Sequence, residues 1–186
     1  MLNPQQLAAV EHCEGPLLVL AGAGSGKTSV ITQKIAYLIQ RRKLGAHRIA
    51  AITFTNKAAR EMRERVAKLV SSEDAAALTV STFHALGLKF LQIEHARAGL
   101  RRGFSVLDAD DSGGIIKELA PKGVKPEVLF GLRNLLGRAK NGGLSPEEAL
   151  AAARSPRELE AATIYDMYQQ RLAAFNAVDF DDLIRL

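Results

Sequence analysis

Lys27 and Thr28 close the run Ala21-Gly22-Ala23-Gly24-Ser25-Gly26-Lys27-Thr28, whose residue types suit phosphate chemistry. Gly22, Gly24 and Gly26 let the backbone curl so that successive N–H groups face inward at anionic oxygens. A lysine in this place reaches the β- and γ-phosphates of a nucleoside triphosphate, and the hydroxyl of Thr28 is a ligand for Mg²⁺. The general pattern asks for glycine where Ala21 stands; alanine costs little there if its φ is negative. Such a loop grips phosphate but does not name a reaction, because kinases, GTPases, transporters and helicases share it.

The loop works only between a strand and a helix. Leu17–Ala21 is continuous, apolar and bounded by Gly15-Pro16 and the glycines that follow, as a buried strand would be. A helix opens near Gly26, with Ile31, Ile35 and Leu38 at i, i+4 and i+7. It ends at Arg41-Arg42-Lys43, where positive charge suits the helix dipole. Ile49–Phe54 and Leu78–Phe83 are the next expected strands. Each is followed by a helix, one marked by Ala58, Met62, Val66 and Leu69, the other by Leu86, Phe90 and Leu91. This alternation argues for a parallel sheet in an α/β fold.

After about residue 110 the pattern is almost entirely helical. Ser145-Pro146-Glu147-Glu148 and Ser155-Pro156-Arg157-Glu158 each offer a serine N-cap, a first-turn proline and a glutamate to close a capping box. The second opens a long helix with Ala161, Tyr165, Tyr168, Leu172 and Phe175 on one face, a stripe suited to core packing. An all-α subdomain inserted after the third strand is therefore expected.

The composition narrows the class further. Hydrophobic residues are 47 % of the chain, enough to bury a sizeable core. No apolar run approaches the roughly 18 residues of a membrane span. The single cysteine, Cys13, excludes an internal disulfide and fits a reducing cytoplasm. The net charge of +5 is uneven: residues 1–93 hold 12 Lys and Arg against 6 Asp and Glu, and residues 94–186 hold 13 against 14. A basic first half suits a polyanionic partner.

Four further segments fix the expectation. They are Leu2-Asn3-Pro4-Gln5-Gln6 before the loop, Ile52-Thr53-Phe54-Thr55-Asn56-Lys57-Ala58-Ala59-Arg60-Glu61-Met62, Ser81-Thr82-Phe83-His84-Ala85-Leu86-Gly87, and Val178-Asp179-Phe180-Asp181-Asp182-Leu183-Ile184. In this order, with the phosphate loop, the series resembles the UvrD/Rep family of superfamily 1 DNA helicases along the whole chain. The resemblance implies an incomplete P-loop NTPase (RecA-like) parallel sheet. Residues 1–87 would belong to motor domain 1A, 88–177 to the helical subdomain 1B, and 178–186 to the return toward 1A. It implies ATP and Mg²⁺ as cofactors, single-stranded DNA and DNA junctions as partners, 3′-to-5′ movement, and a role in DNA replication or repair.

Residue by residue, the resemblance gives Gln6 the reading of adenine, which an amide that donates and accepts can do. It assigns Ala21, Gly22, Ala23, Gly24, Ser25, Gly26, Lys27 and Thr28 to the nucleotide. Phe54, Thr55, Asn56, Thr82, Phe83 and His84 would face single-stranded DNA from the C-terminal ends of strands. Thr55 and Asn56 also suit a helix N-cap, Gln6 a capping turn, and His84 a structural role. Arg60, Arg63, Arg65 and Lys68 are expected on a solvated face, and Arg133, Arg138 and Lys140 on a plain surface.

Hydrolysis needs an acid on a strand end to hold Mg²⁺. Asp179-Phe180-Asp181-Asp182 is not expected to be that site, since Arg171–Asn176 reads as a helix end rather than a buried strand. No apolar run followed by Asp-Glu occurs in the chain. The resemblance places that motif, the arginine fingers and a second motor domain further along. The chain alone is therefore expected not to hydrolyse ATP or unwind DNA. Its short sheet is expected to expose apolar surface and favour self-association. A small-molecule kinase would fit the loop but not the Thr-Phe-Thr-Asn-Lys and Ser-Thr-Phe-His segments. A non-catalytic nucleotide-gated module remains the third reading.

Overall fold

Alternation of strand and helix formers produces, in the computed structural model, two short parallel sheets with helices packed on them. The structure describes residues 2–186. The chain divides into two compact units, residues 1–83 and 84–186.

In the first unit, α1 (Pro4–Glu11) starts at Asn3, whose side chain caps it, with Pro4 in the first turn. The chain then runs to α2 (Lys27–Gln40), a 3₁₀ turn (Ala46–Arg48), β1 (Ala50–Thr53), α3 (Asn56–Ala67), α4 (Ser72–Ala77) and β2 (Thr79–Thr82). β1 and β2 pair in parallel from Ala50↔Thr79 to Thr53↔Thr82. A parallel pair needs a crossover, which α3 and α4 supply. Ile35 and Ile39 of α2 share a core with Met62 and Val66 of α3, Ala51 of β1 and Val80 of β2. The buried face of α2 is Thr32, Ile35, Ala36 and Ile39, so Ile31 lies at its edge and is exposed. That of α3 is Ala59, Met62 and Val66 rather than a stripe beginning at Ala58.

The strand expected over Leu17–Ala21 does not form. These residues belong to no ladder, and Leu18 and Leu20 are 82 % and 87 % exposed. The sheet of this unit has only two strands among the described residues, and neither pairs with this segment. An apolar segment with no neighbour to accept its N–H groups cannot be a strand, however strong its propensity.

The second unit contains α5 (Phe83–Glu94, whose first residue belongs to the first unit), β3 (Ser105–Leu107), α6 (Ala109–Leu119), α7 (Pro126–Asn141), α8 (Pro146–Ala152), α9 (Pro156–Phe175), β4 (Ala177–Asp179) and α10 (Asp182–Arg185). Ser145 and Glu148 form the expected capping box on α8. Ser155 caps α9, but Glu158 turns to the backbone N–H of Arg154, so that box is only half made. Tyr165 and Tyr168 are fully buried at the centre of this unit, with Ala161 and Leu172 on the same face. Phe175 departs from the expected stripe: it is exposed, under the Arg171 guanidinium.

A buried strand, β4, follows the end of α9 and pairs in parallel with β3 from Ser105↔Ala177 to Leu107↔Asp179. Three residues are too few for a period to be read. Asn176 makes the junction. It ends α9 at φ +51°, while its side chain accepts from the Arg101 N–H and donates to the Arg101 carbonyl. Among the described residues, no helix is long and apolar enough to cross a membrane.

Candidate nucleotide and nucleic-acid sites

Gly26 is the N-cap of α2 in the left-handed conformation, at φ +81°, and Gly24 lies at +74°. No side chain caps this helix, so its first N–H groups face the loop. Successive amides in this geometry form an anion-binding concavity, reinforced by the helix dipole. Among the described residues only Lys43 and Asn176 are non-glycines at positive φ, so Ala21 sits in its place without backbone strain.

The loop satisfies its own polar groups. Lys27 Nζ donates to the carbonyls of Ala21 (2.9 Å) and Gly22 (2.7 Å). Ser25 Oγ donates to the same Gly22 carbonyl at 2.7 Å. All of Ala21–Thr28 is exposed. The lysine therefore already points into the loop, where phosphate oxygens would compete for its protons. The donor set suits an anion such as phosphate, and Thr28 follows Lys27 in the first turn of α2.

Gln6 is tied to this loop. Its Oε1 accepts from the Asn3 N–H at 2.9 Å, and Asn3 Oδ1 accepts from the Gln6 N–H at 2.8 Å, a capping box on α1. Its Nε2 donates to the Ser25 carbonyl at 3.0 Å. Capping and loop contact thus use both ends of one amide. Lys34 of α2 holds α1 from its other end, donating to the carbonyls of Ala9 and His12. A cavity of about 800 Å³ opens here, lined by Gln6, Cys13, Leu17, Leu20, Lys27 and Ile31 among others.

The strand register explains the next group. Thr53 and Thr82 are partners at the ends of β1 and β2, so Phe54 and Phe83 each stand one residue beyond. Their rings lie 5.9 Å apart at 50°, and Phe54 is 88 % exposed. Thr55 Oγ1 accepts from the Ala58 N–H and caps α3, whose first residue is Asn56. Thr82 is 7 % exposed, inside the unit rather than on its surface. Arg63 reaches from α3 to the Val80 carbonyl at 2.8 Å, which ties it to β2, whereas Arg60, Arg65 and Lys68 keep to the solvated face.

His84 opens the second unit. It is exposed and meets Phe180 edge-on, with ring centroids 5.7 Å apart. Phe180 sits between two buried carboxylates. Lys140 is not on a plain surface as its sequence neighbourhood suggests: it is 1 % exposed and lies 2.6 Å from Asp179 Oδ2 and 3.0 Å from Asp182 Oδ1. Tyr168 OH donates to Asp179 Oδ2 at 2.9 Å, and Arg185 Nε donates to Asp182 Oδ1 at 3.2 Å. The Asp182 N–H closes the turn on Asp179 Oδ1 at 2.9 Å. Burial raises the Asp179 pKa, but the Lys140 ammonium outweighs it and holds the carboxyl below its ordinary value. Burial pushes the Tyr168 phenol well up. These carboxylates are thus committed to a lysine. The network was invisible in sequence because 39 residues separate Lys140 from Asp179.

An exposed glycine-rich loop at an uncapped helix N-terminus, in a unit whose two parallel strands end next to aromatic residues, defines an α/β module with a candidate anion-binding loop. The family model for the UvrD/REP helicase N-terminal domain matches residues 2–186, and the chain belongs to that family. It is 46 % identical over 187 residues to the ATP-dependent DNA helicase Rep of Escherichia coli (strain K12), covering 100 % of this chain and 28 % of the relative. It is 47 % identical to ATP-dependent DNA helicase UvrD1 of Mycobacterium tuberculosis (strain ATCC 25618 / H37Rv), covering 98 % and 24 %. It is 40 % identical to ATP-dependent DNA helicase PcrA of Staphylococcus aureus (strain Mu50 / ATCC 700699), covering 98 % and 25 %. The chain spans about a quarter of the length of these relatives.

Proposed function

We propose that this chain is the N-terminal ATP-binding portion of a 3′-to-5′ DNA helicase that tracks single-stranded DNA. The observation that carries the reading is the exposed phosphate loop at an uncapped helix, with Lys27 turned into it. Residues Ala21 to Gly26 would cradle phosphate oxygens through backbone N–H groups. Lys27 would exchange the Ala21 and Gly22 carbonyls for the β- and γ-phosphates, and Thr28 would hold Mg²⁺. Bound Mg²⁺ would neutralise the phosphate charge. Gln6 would release Ser25 and offer its amide to adenine.

Single-stranded DNA would meet Phe54 and Phe83 in the first unit and His84 in the second. Exposed aromatic faces stack on bases of any sequence, as a translocating enzyme requires. Thr55 and Asn56 would add the N-terminus of α3 for a phosphate oxygen. The net positive charge of the first half suits the polyanion. A reducing cytoplasm is the setting that the lone cysteine fits.

The chain alone is proposed to bind nucleotide without turning it over. No Asp-Glu follows an apolar run in its sequence, and Asp179 and Asp182 are already paired with Lys140. The test is ATP hydrolysis with and without single-stranded DNA, beside Lys27→Ala, together with binding of a fluorescent ATP analogue. Binding that Lys27→Ala abolishes, without turnover, supports the reading. DNA-stimulated turnover lost in Lys27→Ala would refute the inactivity of the isolated chain.

A further inference from the structure

Two observations in the second unit converge on His84. The first is a backbone contact. A Cβ built on Gly87 would overlap the Leu183 carbonyl oxygen, so α5 lies against the start of α10 with no side chain between them. Gly87 is three residues after His84, and Leu183 three residues after Phe180. One turn from this contact, the His84 and Phe180 rings meet. The second is the buried cluster behind Phe180. Lys140 Nζ binds the carboxylates on both sides of that residue, Asp179 and Asp182, and the Asp182 N–H returns to Asp179. Asn141 Nδ2, next along α7, donates to Asp181 Oδ1 at 3.3 Å.

This arrangement is costly to build. Three ionised groups have been taken out of water, and an apolar trio of similar volume would usually be at least as stable. What a buried ion cluster does supply is direction. Lys140 accepts only geometries in which both carboxylates converge on one ammonium, and the tight turn that meets this demand points Phe180 outward, 47 % exposed, onto the imidazole.

We propose that Lys140 is a positioning residue for the nucleic-acid surface: through Asp179 and Asp182 it fixes Phe180, and Phe180 fixes the His84 ring. The inference rests on the reading of His84 as a residue that faces single-stranded DNA. It extends that surface to a buried lysine on a helix 56 residues away along the chain.

The test is a cycle of His84→Ala, Lys140→Met and their double in the full chain, reading the affinity for a labelled oligo(dT) strand. Each single change is expected to weaken binding about tenfold, within the range for losing one aromatic–base contact. The double should bind no more weakly than His84→Ala alone. The imidazole NMR signal of His84, assigned by its loss in His84→Ala among four histidines, supplies a second readout. Lys140→Met and Phe180→Ala should both move it, by removing the ring current of Phe180. Losses that multiply in the double, or a His84 signal unchanged in Lys140→Met, would overturn the proposal. An affinity untouched by His84→Ala would instead refute the DNA reading of His84, and the imidazole signal alone would then decide its positioning. If Lys140→Met does not fold, the triple change Lys140→Met/Asp179→Asn/Asp182→Asn removes the ions together and takes its place in the cycle.

Discussion

Phe54 and Phe83 stand one residue beyond the paired ends of two parallel strands, and their rings lie 5.9 Å apart with the first almost wholly in solvent. Parallel pairing alone brings them together, because Thr53 and Thr82 share a register position. A phenylalanine left 88 % exposed contributes little to the core. Phe54→Ala should therefore change stability by less than about 0.5 kcal/mol. It should weaken single-stranded DNA binding about five- to a hundredfold, the range for one stacked base. Urea unfolding and fluorescence anisotropy with labelled oligo(dT) check the two halves. Equal loss of stability and affinity would mean that the ring is a packing element.

Lys27 makes only loop contacts, and the loop is exposed. Lys27→Ala should leave the thermal midpoint within a few degrees of the parent. Binding of a fluorescent ATP analogue should fall at least tenfold, since a charge-assisted contact to phosphate is worth about 1.5–3 kcal/mol. Thr28→Ala should instead lower the affinity only when Mg²⁺ is present. Titrations with Mg²⁺ and with EDTA separate the two effects.

Local geometry was more legible in the sequence than architecture. The loop, the aromatic strand ends and the two serine caps were legible because each is a short, local pattern. The helices after residue 110 were legible from their period. Leu17–Ala21 was misread because propensity describes a residue and a strand needs a neighbour. Lys140 was misread because its surroundings on α7, Arg138 and Asn141, are surface residues, and nothing local foretells a partner 39 residues on. Thr82, Phe83 and His84 are adjacent in sequence, yet one is buried and two are exposed. A strand that passes into a helix changes the direction of each side chain in turn.

The Lys140 cluster also sets an acid response. The carboxyl of Asp179 is held below its ordinary value of 3.8 by Lys140 in spite of burial. A depressed carboxylate lends stability above its unfolded pKa, and that stability is lost as the pH falls through the folded value. The parent chain should lose this contribution only below about pH 4. Lys140→Met should cost about 3–5 kcal/mol at pH 7, because two buried carboxylates remain without their cation. Arg185 reaches Asp182 and Tyr168 reaches Asp179, but neither replaces a shared ammonium. With the lysine gone, burial raises the carboxyl pKa, so this variant should gain stability as the pH falls from 7 towards 5. Urea unfolding across pH 4–8 should show this contribution flat in the parent and rising towards low pH in the variant, and parallel curves for the two would contradict the account.

Leu18 and Leu20 present a different liability. The segment Leu17–Ala21 is apolar and outside any ladder, and Leu17 and Val19 are nearly half exposed as well. Such a segment is a template for another strand, since burying its side chains and pairing its amides both favour association. The isolated chain should self-associate at micromolar to millimolar concentration. Leu18→Lys/Leu20→Lys should suppress this, because charge on an unpaired edge opposes a second strand. Neither side chain belongs to the first unit's core, so helix content should be kept. Sedimentation velocity over a concentration series, with circular dichroism on the same samples, makes the comparison. Association unchanged by the double substitution would assign it to another surface, such as the exposed Phe90 and Ile93 of α5. A parent chain that stays monomeric throughout would mean that the unpaired segment is protected by the chain that surrounds it.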